Sequence, residues 1–180
     1  MCLNWRMSQP PRRSDVSTRL PETVVDPVEP EDVGEVWTLM RAAFVDEAQF
    51  FGDPFILPLT ESQGQVRQQL DRGAILLKAT HGSRIVGTVR GVAQDATFLV
   101  SRLAVAPDRR QRGVGRKLME ELEWRVRDQY PRVASLASFV APVCDARRAL
   151  YRGLGYSEVS TERAADHLSL VQMRKSLPSA

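Results

Sequence analysis

Cysteine is scarce, with only Cys2 and Cys144 in 180 residues. That excludes a disulfide framework and leaves no ligand spacing for a structural metal. Both are read as free thiols in a reducing compartment. Histidine is equally rare, limited to His81 and His167. No stretch approaches the roughly 18 apolar residues that a membrane-spanning helix requires. The opening MCLNWRMSQPPRR has no apolar segment leading to a small-residue cleavage site, so secretion is not expected. Its arginines would suit an organelle presequence, but Pro10, Pro11 and Asp15 break an amphipathic one. Neither charge dominates: 25 Lys and Arg stand against 22 Asp and Glu, for a net +3. Such a balance accommodates an anionic ligand and is too mild to imply nucleic acid. A cytoplasmic location is expected.

What is present is ordinary globular material. Hydrophobic residues make up 43% of the chain and charged residues 26%, enough for one sizeable core under a soluble surface. Met1–Leu20 carries two prolines and four arginines without periodicity and reads as a loosely attached tail. A single domain over 21–177 is expected to follow. A strand fits Thr23–Pro27. Pro30, Glu31 and Asp32 then open a helix, in which Val33, Val36, Trp37, Met40 and Phe44 recur at helical spacing. Phe50–Thr60 holds Gly52, Pro54 and Pro58 and predicts a loop. Ser62–Arg72 predicts a second helix. Strands follow at Ala74–Thr80, Arg84–Ala93 and Ala96–Val105, with turns at His81-Gly82-Ser83 and Gln94-Asp95, so they should be antiparallel. A long helix runs from Gly113 to Gln129 with Val114, Leu118, Met119, Leu122 and Val126 inward. Glu120, Glu121, Glu123 and Arg127 are expected to face water. Further elements are a strand at Val133–Val140, a helix at Asp145–Arg152, and strands at Tyr156–Val159 and His167–Met173. A meander followed by strand, long helix and strand indicates a mixed α/β sheet with helices on both faces.

The most informative segment joins the third meander strand to the long helix. Leu103-Ala104-Val105 ends a strand, Pro107 turns the chain, and Arg110-Gln111-Arg112-Gly113-Val114-Gly115-Arg116 starts a helix. First-turn amides lack intrahelical acceptors, and the helix dipole favours an anion there. Gly113 and Gly115 leave those amides uncovered, and Arg110, Arg112, Arg116 and Lys117 add charge at the rim. This is chemistry for a diphosphate. The triphosphate-loop pattern is absent. The dinucleotide fingerprint also fails, because Leu118 stands where its last glycine belongs.

In this order and spacing the chain resembles the GNAT superfamily of N-acetyltransferases. Arg110-Gln111-Arg112-Gly113-Val114-Gly115 matches the family's Gln/Arg-x-x-Gly-x-Gly/Ala motif. Ala149-Leu150-Tyr151-Arg152-Gly153-Leu154-Gly155-Tyr156 resembles its late helix-to-strand segment, and Thr23–Phe44 its first strand and helix. The similarity runs from about Thr23 to Lys175. It implies a central, mostly antiparallel sheet that splays where the strand ending near Val105 leaves the one beginning near Val133. It also implies acetyl-coenzyme A as cofactor. The amides of Gln111, Arg112, Gly113, Val114 and Gly115 would hold the diphosphate, with Arg110 and Arg116 beside them. Backbone groups of Leu103, Ala104 and Val105 would hold the pantetheine arm. An amine then attacks the thioester directly in a ternary complex.

The resemblance makes Tyr151 the general acid for the departing thiolate and a contact of the cofactor. The proton acceptor is harder to assign, because Ser101 stands where many members carry a glutamate. Glu35, Glu47 and Asp53 are the acidic candidates. His81 reads as exposed turn filler, and His167 as a structural residue near the site. Two further departures are Cys144 and Arg147, where members frequently have asparagine and alanine. Cys144 is read as a small hydrophobe lining the channel, not a nucleophile. Phe50–Thr60 and the residues around Glu158–His167 would border the acceptor entrance. There Phe50, Phe51 and Phe55 offer apolar contact, while Asp46, Glu47 and Asp53 would attract a cation. The acceptor is thus expected to be a small-molecule or protein amine. The absent strand glutamate leaves a non-catalytic acyl-coenzyme A sensor as the alternative, and the family commonly forms homodimers.

Overall fold

A computed structural model describes residues 22–165 and 168–178. The expected tail Met1–Leu20, with Cys2, and also His167 lie outside the described residues. The strands are β1 (Thr23–Pro27), β2 (Ile75–His81), β3 (Arg84–Gln94), β4 (Thr97–Val105), β5 (Ser135–Val140), β6 (Ser157–Ala165) and β7 (Leu168–Ser176). The helices are α1 (Val33–Phe51), α2 (Leu57–Thr60), α3 (Gln63–Asp71), α4 (Val114–Gln129) and α5 (Asp145–Gly153). One sheet of seven strands has the order β1-β2-β3-β4-β5-β7-β6. Every neighbouring pair is antiparallel except β4 with β5, which is parallel.

Local chemistry explains most boundaries. Ser62 caps α3 in a reciprocal capping box with Gln65, satisfying two otherwise orphaned amides. The α4 stripe of Val114, Leu118, Met119, Leu122 and Val126 is wholly buried, each side chain worth about 1.5–3 kcal/mol when fully removed from water. α4 covers one face, where Val114 and Leu118 close over Gly87 of β3. Arg90, three residues along β3, reaches Glu61 in the segment after α2. Odd spacing places these two positions on opposite faces of the pleat, so α1 and its following segment cover the other side.

Several expectations need correction. α1 does not stop before Phe50; it continues to Phe51, and α2 forms inside the segment expected to be a loop. His81 belongs to β2 and pairs with Arg84, leaving Gly82 and Ser83 as the turn. β6 extends to Ala165, well beyond Val159. β7 runs on to Ser176, beyond the expected Met173, with Val171 and Met173 buried. Glu123 is buried instead of facing water, and its carboxylate meets Lys175 Nζ at 2.6 Å.

The feature that positions the site is a fork in the sheet. β4 and β5 pair only over Thr97–Val100 and Ser135–Ser138. Beyond that point β4 stays on β3 as far as Val105, and β5 stays on β7 as far as Val140. A bulge in β4 lies on one arm of the fork, where Thr88 pairs with Ala104 but Arg90 with Ser101. Arg102 within it has φ +55°, a backbone region sparsely used by non-glycine residues and concentrated at functional sites.

Candidate functional site

After β4, the chain makes a 3-10 turn at Pro107–Arg109 and enters α4. Gln111 has φ +60° and Gly113 φ +80°. The second is the conformation only glycine adopts without strain. The successive left-handed turns leave the amides facing out. Among the described residues, the N–H groups of Arg110–Arg116 donate to no acceptor, and the helical ladder begins with Lys117 N–H donating to Gly113 O at 3.0 Å. Gln111, Arg112 and Gly113 are exposed. A side chain at Gly115 would place its Cβ 3.1 Å from Leu150 Cδ2, tighter than ordinary contact, so glycine there lets α5 approach α4.

These amides open onto a cavity of about 610 Å³. Its walls are the end of β4, the turn into α4, the last turns of α1, and the start of α5. Of the residues expected to contact a cofactor, Leu103, Ala104, Val105, Arg110, Gln111, Gly113, Val114, Gly115 and Arg116 line it, whereas Arg112 and the buried Tyr151 do not. Such a wall, apolar along the strand and rich in unaccepted amides at one end, fits a ligand with an extended arm and an anionic head.

Arg110 points away from the amides. Its Nη1 donates to Asp46 Oδ2 at 2.6 Å and its Nη2 to Ala43 O at 3.0 Å, so it ties α1 to the turn. A second tie crosses the cavity, from Arg147 Nη1 in α5 to Glu47 Oε2 in α1 at 2.9 Å. Arg147 also stacks over the Phe44 ring at 5.1 Å. Cys144 Sγ lies 3.7 Å from Glu47 Oε2. Burial pushes its thiol up, outweighing nearby Arg147, so it is held neutral, and a neutral thiol is a poor nucleophile.

Tyr151 stands behind Leu150, fully buried, with its ring against Tyr156 at 5.0 Å. Its hydroxyl lies 2.9 Å from Ser138 Oγ. Ser138 is the last residue of β5 paired with β4, so the phenol sits at the vertex of the fork. Burial raises its pKa despite the Ser138 hydrogen bond. The other acidic candidates separate. Glu47 lines the cavity. Glu35 does not, and its carboxylate accepts the Ile85 N–H at 2.8 Å. Asp53 accepts the Phe55 N–H at 2.7 Å just beyond α1. Among the described residues no cluster of His, Cys, Asp and Glu could hold a metal ion, and no helix is long and apolar enough to cross a membrane.

A model of the Acetyltransferase (GNAT) domain matches residues 45–177. The chain belongs to the GNAT acetyltransferase family. A curated relative, a UPF0039 protein of Schizosaccharomyces pombe, is 28% identical over 105 residues, covering 58% of this chain and 68% of its own. Among solved structures, the ribosomal-protein-alanine N-acetyltransferase of Brucella melitensis superposes with a TM-score of 0.70 at 20% identity, over 86% of this chain and 99% of that one. The PaiA N-acetyltransferase of Thermoplasma acidophilum, solved in complex with coenzyme A, gives 0.72 at 14% identity, over 87% and 99%. The shared GNAT fold includes the splayed, mostly antiparallel sheet with flanking helices.

A cluster the sequence did not reveal lies on the α1 side of the GNAT fork. Glu61 receives Arg90 Nη1 at 2.7 Å and Arg102 Nε at 3.1 Å. The three residues come from the segment after α2, from β3 and from the β4 bulge. No local pattern links them.

Proposed function

We propose that this chain transfers the acetyl group of acetyl-coenzyme A to the nitrogen of a primary amine by direct attack in a ternary complex. One observation carries the reading: a row of unaccepted amides opens a cavity that follows β4 toward the fork where the Tyr151 hydroxyl sits. The amides of Gln111–Gly115 hold the diphosphate, with Arg116 at the rim. The free edge of β4 at Leu103–Val105 offers peptide groups to the pantetheine amides. The thioester is thereby held with its sulfur toward Tyr151.

The amine must arrive unprotonated or lose its proton at the site. Its nitrogen lone pair then forms the N–C bond as the C–S bond breaks. The nitrogen's remaining extra proton passes to Glu47, directly or through water, because Glu47 is the acid among the candidates that lines the cavity. Tyr151 gives its phenolic proton to the departing sulfur. Ser138 is placed to donate a hydrogen bond to the resulting phenolate until a proton returns to it from solvent.

Isothermal titration with acetyl-coenzyme A and release of coenzyme A thiol across an amine panel test the proposal together. Amine-dependent thiol release is expected. Tyr151→Phe should lower kcat by on the order of 100-fold while leaving acetyl-coenzyme A affinity in place. Saturable binding without turnover on any amine would instead favour a non-catalytic acyl-coenzyme A sensor, a reading to which Ser101 in place of a strand carboxylate lends weight.

A further inference from the structure

One carboxylate in the cavity wall joins the end of α1 to the start of α5. Glu47 Oε2 accepts two donors from the α5 side, Arg147 Nη1 at 2.9 Å and the Cys144 thiol at 3.7 Å. Among the described residues nothing donates to the other oxygen, Oε1, and that oxygen is not enclosed. Glu47, Cys144 and Arg147 all line the cavity. The side chains of Glu47 and Arg147 are only 13% and 22% exposed, and a carboxylate covered to that extent needs a counter-charge. Asp46, its neighbour in α1, turns instead to Arg110.

The guanidinium is fixed in its turn. It stacks over the Phe44 ring at 5.1 Å, and Phe44 lies three residues before Glu47 in α1, on the same side of that helix. Arg147 gains nothing from its own helix. It stands in the first turn of α5, just after Cys144 at the cap, where the helix dipole disfavours a cation. On Tyr151 it acts least: burial raises that phenol's pKa, and the Ser138 hydrogen bond opposes this more than Arg147 does. Its direct partner is Glu47.

We infer that Arg147 is a positioning residue for the transfer: together with Cys144 it holds Glu47 by one oxygen and so presents the other, Oε1, to the nitrogen of the acceptor. This deepens the proposed amine acetylation and rests on it. With Oε2 occupied, the carboxylate cannot swing away from the cavity. As the N–C bond forms and the C–S bond breaks, the proton leaving the nitrogen goes to Oε1, and from there to solvent once the amide has departed. Placement of this kind governs rate more than binding, because a small displacement of a reacting group is costly.

The test follows thiol release at saturating acetyl-coenzyme A with the best amine of the panel. Arg147→Met keeps an aliphatic stem over Phe44 and removes the charge. It should lower kcat by about tenfold or more. The KM for the amine, and acetyl-coenzyme A affinity by titration, should change by less than about threefold. Arg147→Lys returns the charge as a single-point donor, and its kcat should lie between those of Arg147→Met and the native sequence. In a Glu47→Gln background, Arg147→Met should cost less than about twofold more, because it acts through that carboxylate. In a Tyr151→Phe background it should keep its full effect. If Arg147→Met does not fold, Arg147→Lys carries the same pair of comparisons. An unchanged kcat, a lysine variant no better than the methionine one, or equal losses in both backgrounds overturns this inference and leaves amine transfer standing. Absence of thiol release with every amine overturns it together with the amine-transfer reading beneath it.

Discussion

Tyr151 and Tyr156 pack ring to ring at 5.0 Å, and burial raises the pKa of both phenols, with Glu123 adding to the effect on Tyr156. In the unfolded chain each titrates at its ordinary value near 10. Above that pH the unfolded state therefore holds fewer protons than the native one, and stability must fall as pH rises. The stabilisation is complete below pH of about 10 and drains away above it. Urea midpoints measured from pH 8 to 11 should decline more steeply in the native sequence than in Tyr156→Phe; parallel curves would refute the assignment. At this scale the sequence was only half legible. The turn into α4 could be read because glycine there has a conformational meaning, and Gly113 does take φ +80°. Arg110 could not, because its partner Asp46 lies 64 positions away. Glu123 misled for the same reason, since Lys175 sits 52 positions off.

Elements whose apolar period is strong were predicted well: β1, the β2–β3–β4 meander, and the α4 stripe fall where alternation and helical spacing place them. Failures occurred where tertiary pairing overrides composition. β6 is exposed along nearly its whole length and has no apolar alternation to announce it; it is a strand because β7 offers it a ladder. The turn into α4 is the element whose behaviour is easiest to measure. Its amides, lacking acceptors, should exchange with solvent deuterium rapidly in free protein. Saturation with coenzyme A should slow the 111–115 amides by about tenfold or more as each gains an acceptor. Unchanged exchange there, with titration still showing binding, would move the diphosphate elsewhere.

At the scale of the molecule, the cavity joins parts distant in the chain: α1, β4, α4 and α5 meet across it. A ligand bound there ties them together and favours the native state by mass action. At about 100 times its Kd the gain is roughly 2.7 kcal/mol. For a chain of this size that corresponds to an increase in Tm of about 5–10 °C. Coenzyme A should produce the shift, whereas S-acetylcysteamine, which carries the thioester without the diphosphate, should not. Equal shifts from both would show that the anionic head contributes little. The family resemblance made this architecture readable in advance, since the order of motifs fixed the fold. The ion pairs across the cavity and the Glu61 cluster depend on how remote segments meet.

The position of β7 has a consequence for how the protein is made. It is the last strand in the sequence among those described, yet it lies inside the sheet, hydrogen-bonded to β5 on one side and β6 on the other. While a ribosome is still translating residue 167, β5 has an open flank and β6 has nothing to pair with. The half of the sheet beyond the fork can be completed only after β7 has left the exit tunnel, so a nascent chain stalled before it would present bare strand edges to chaperones.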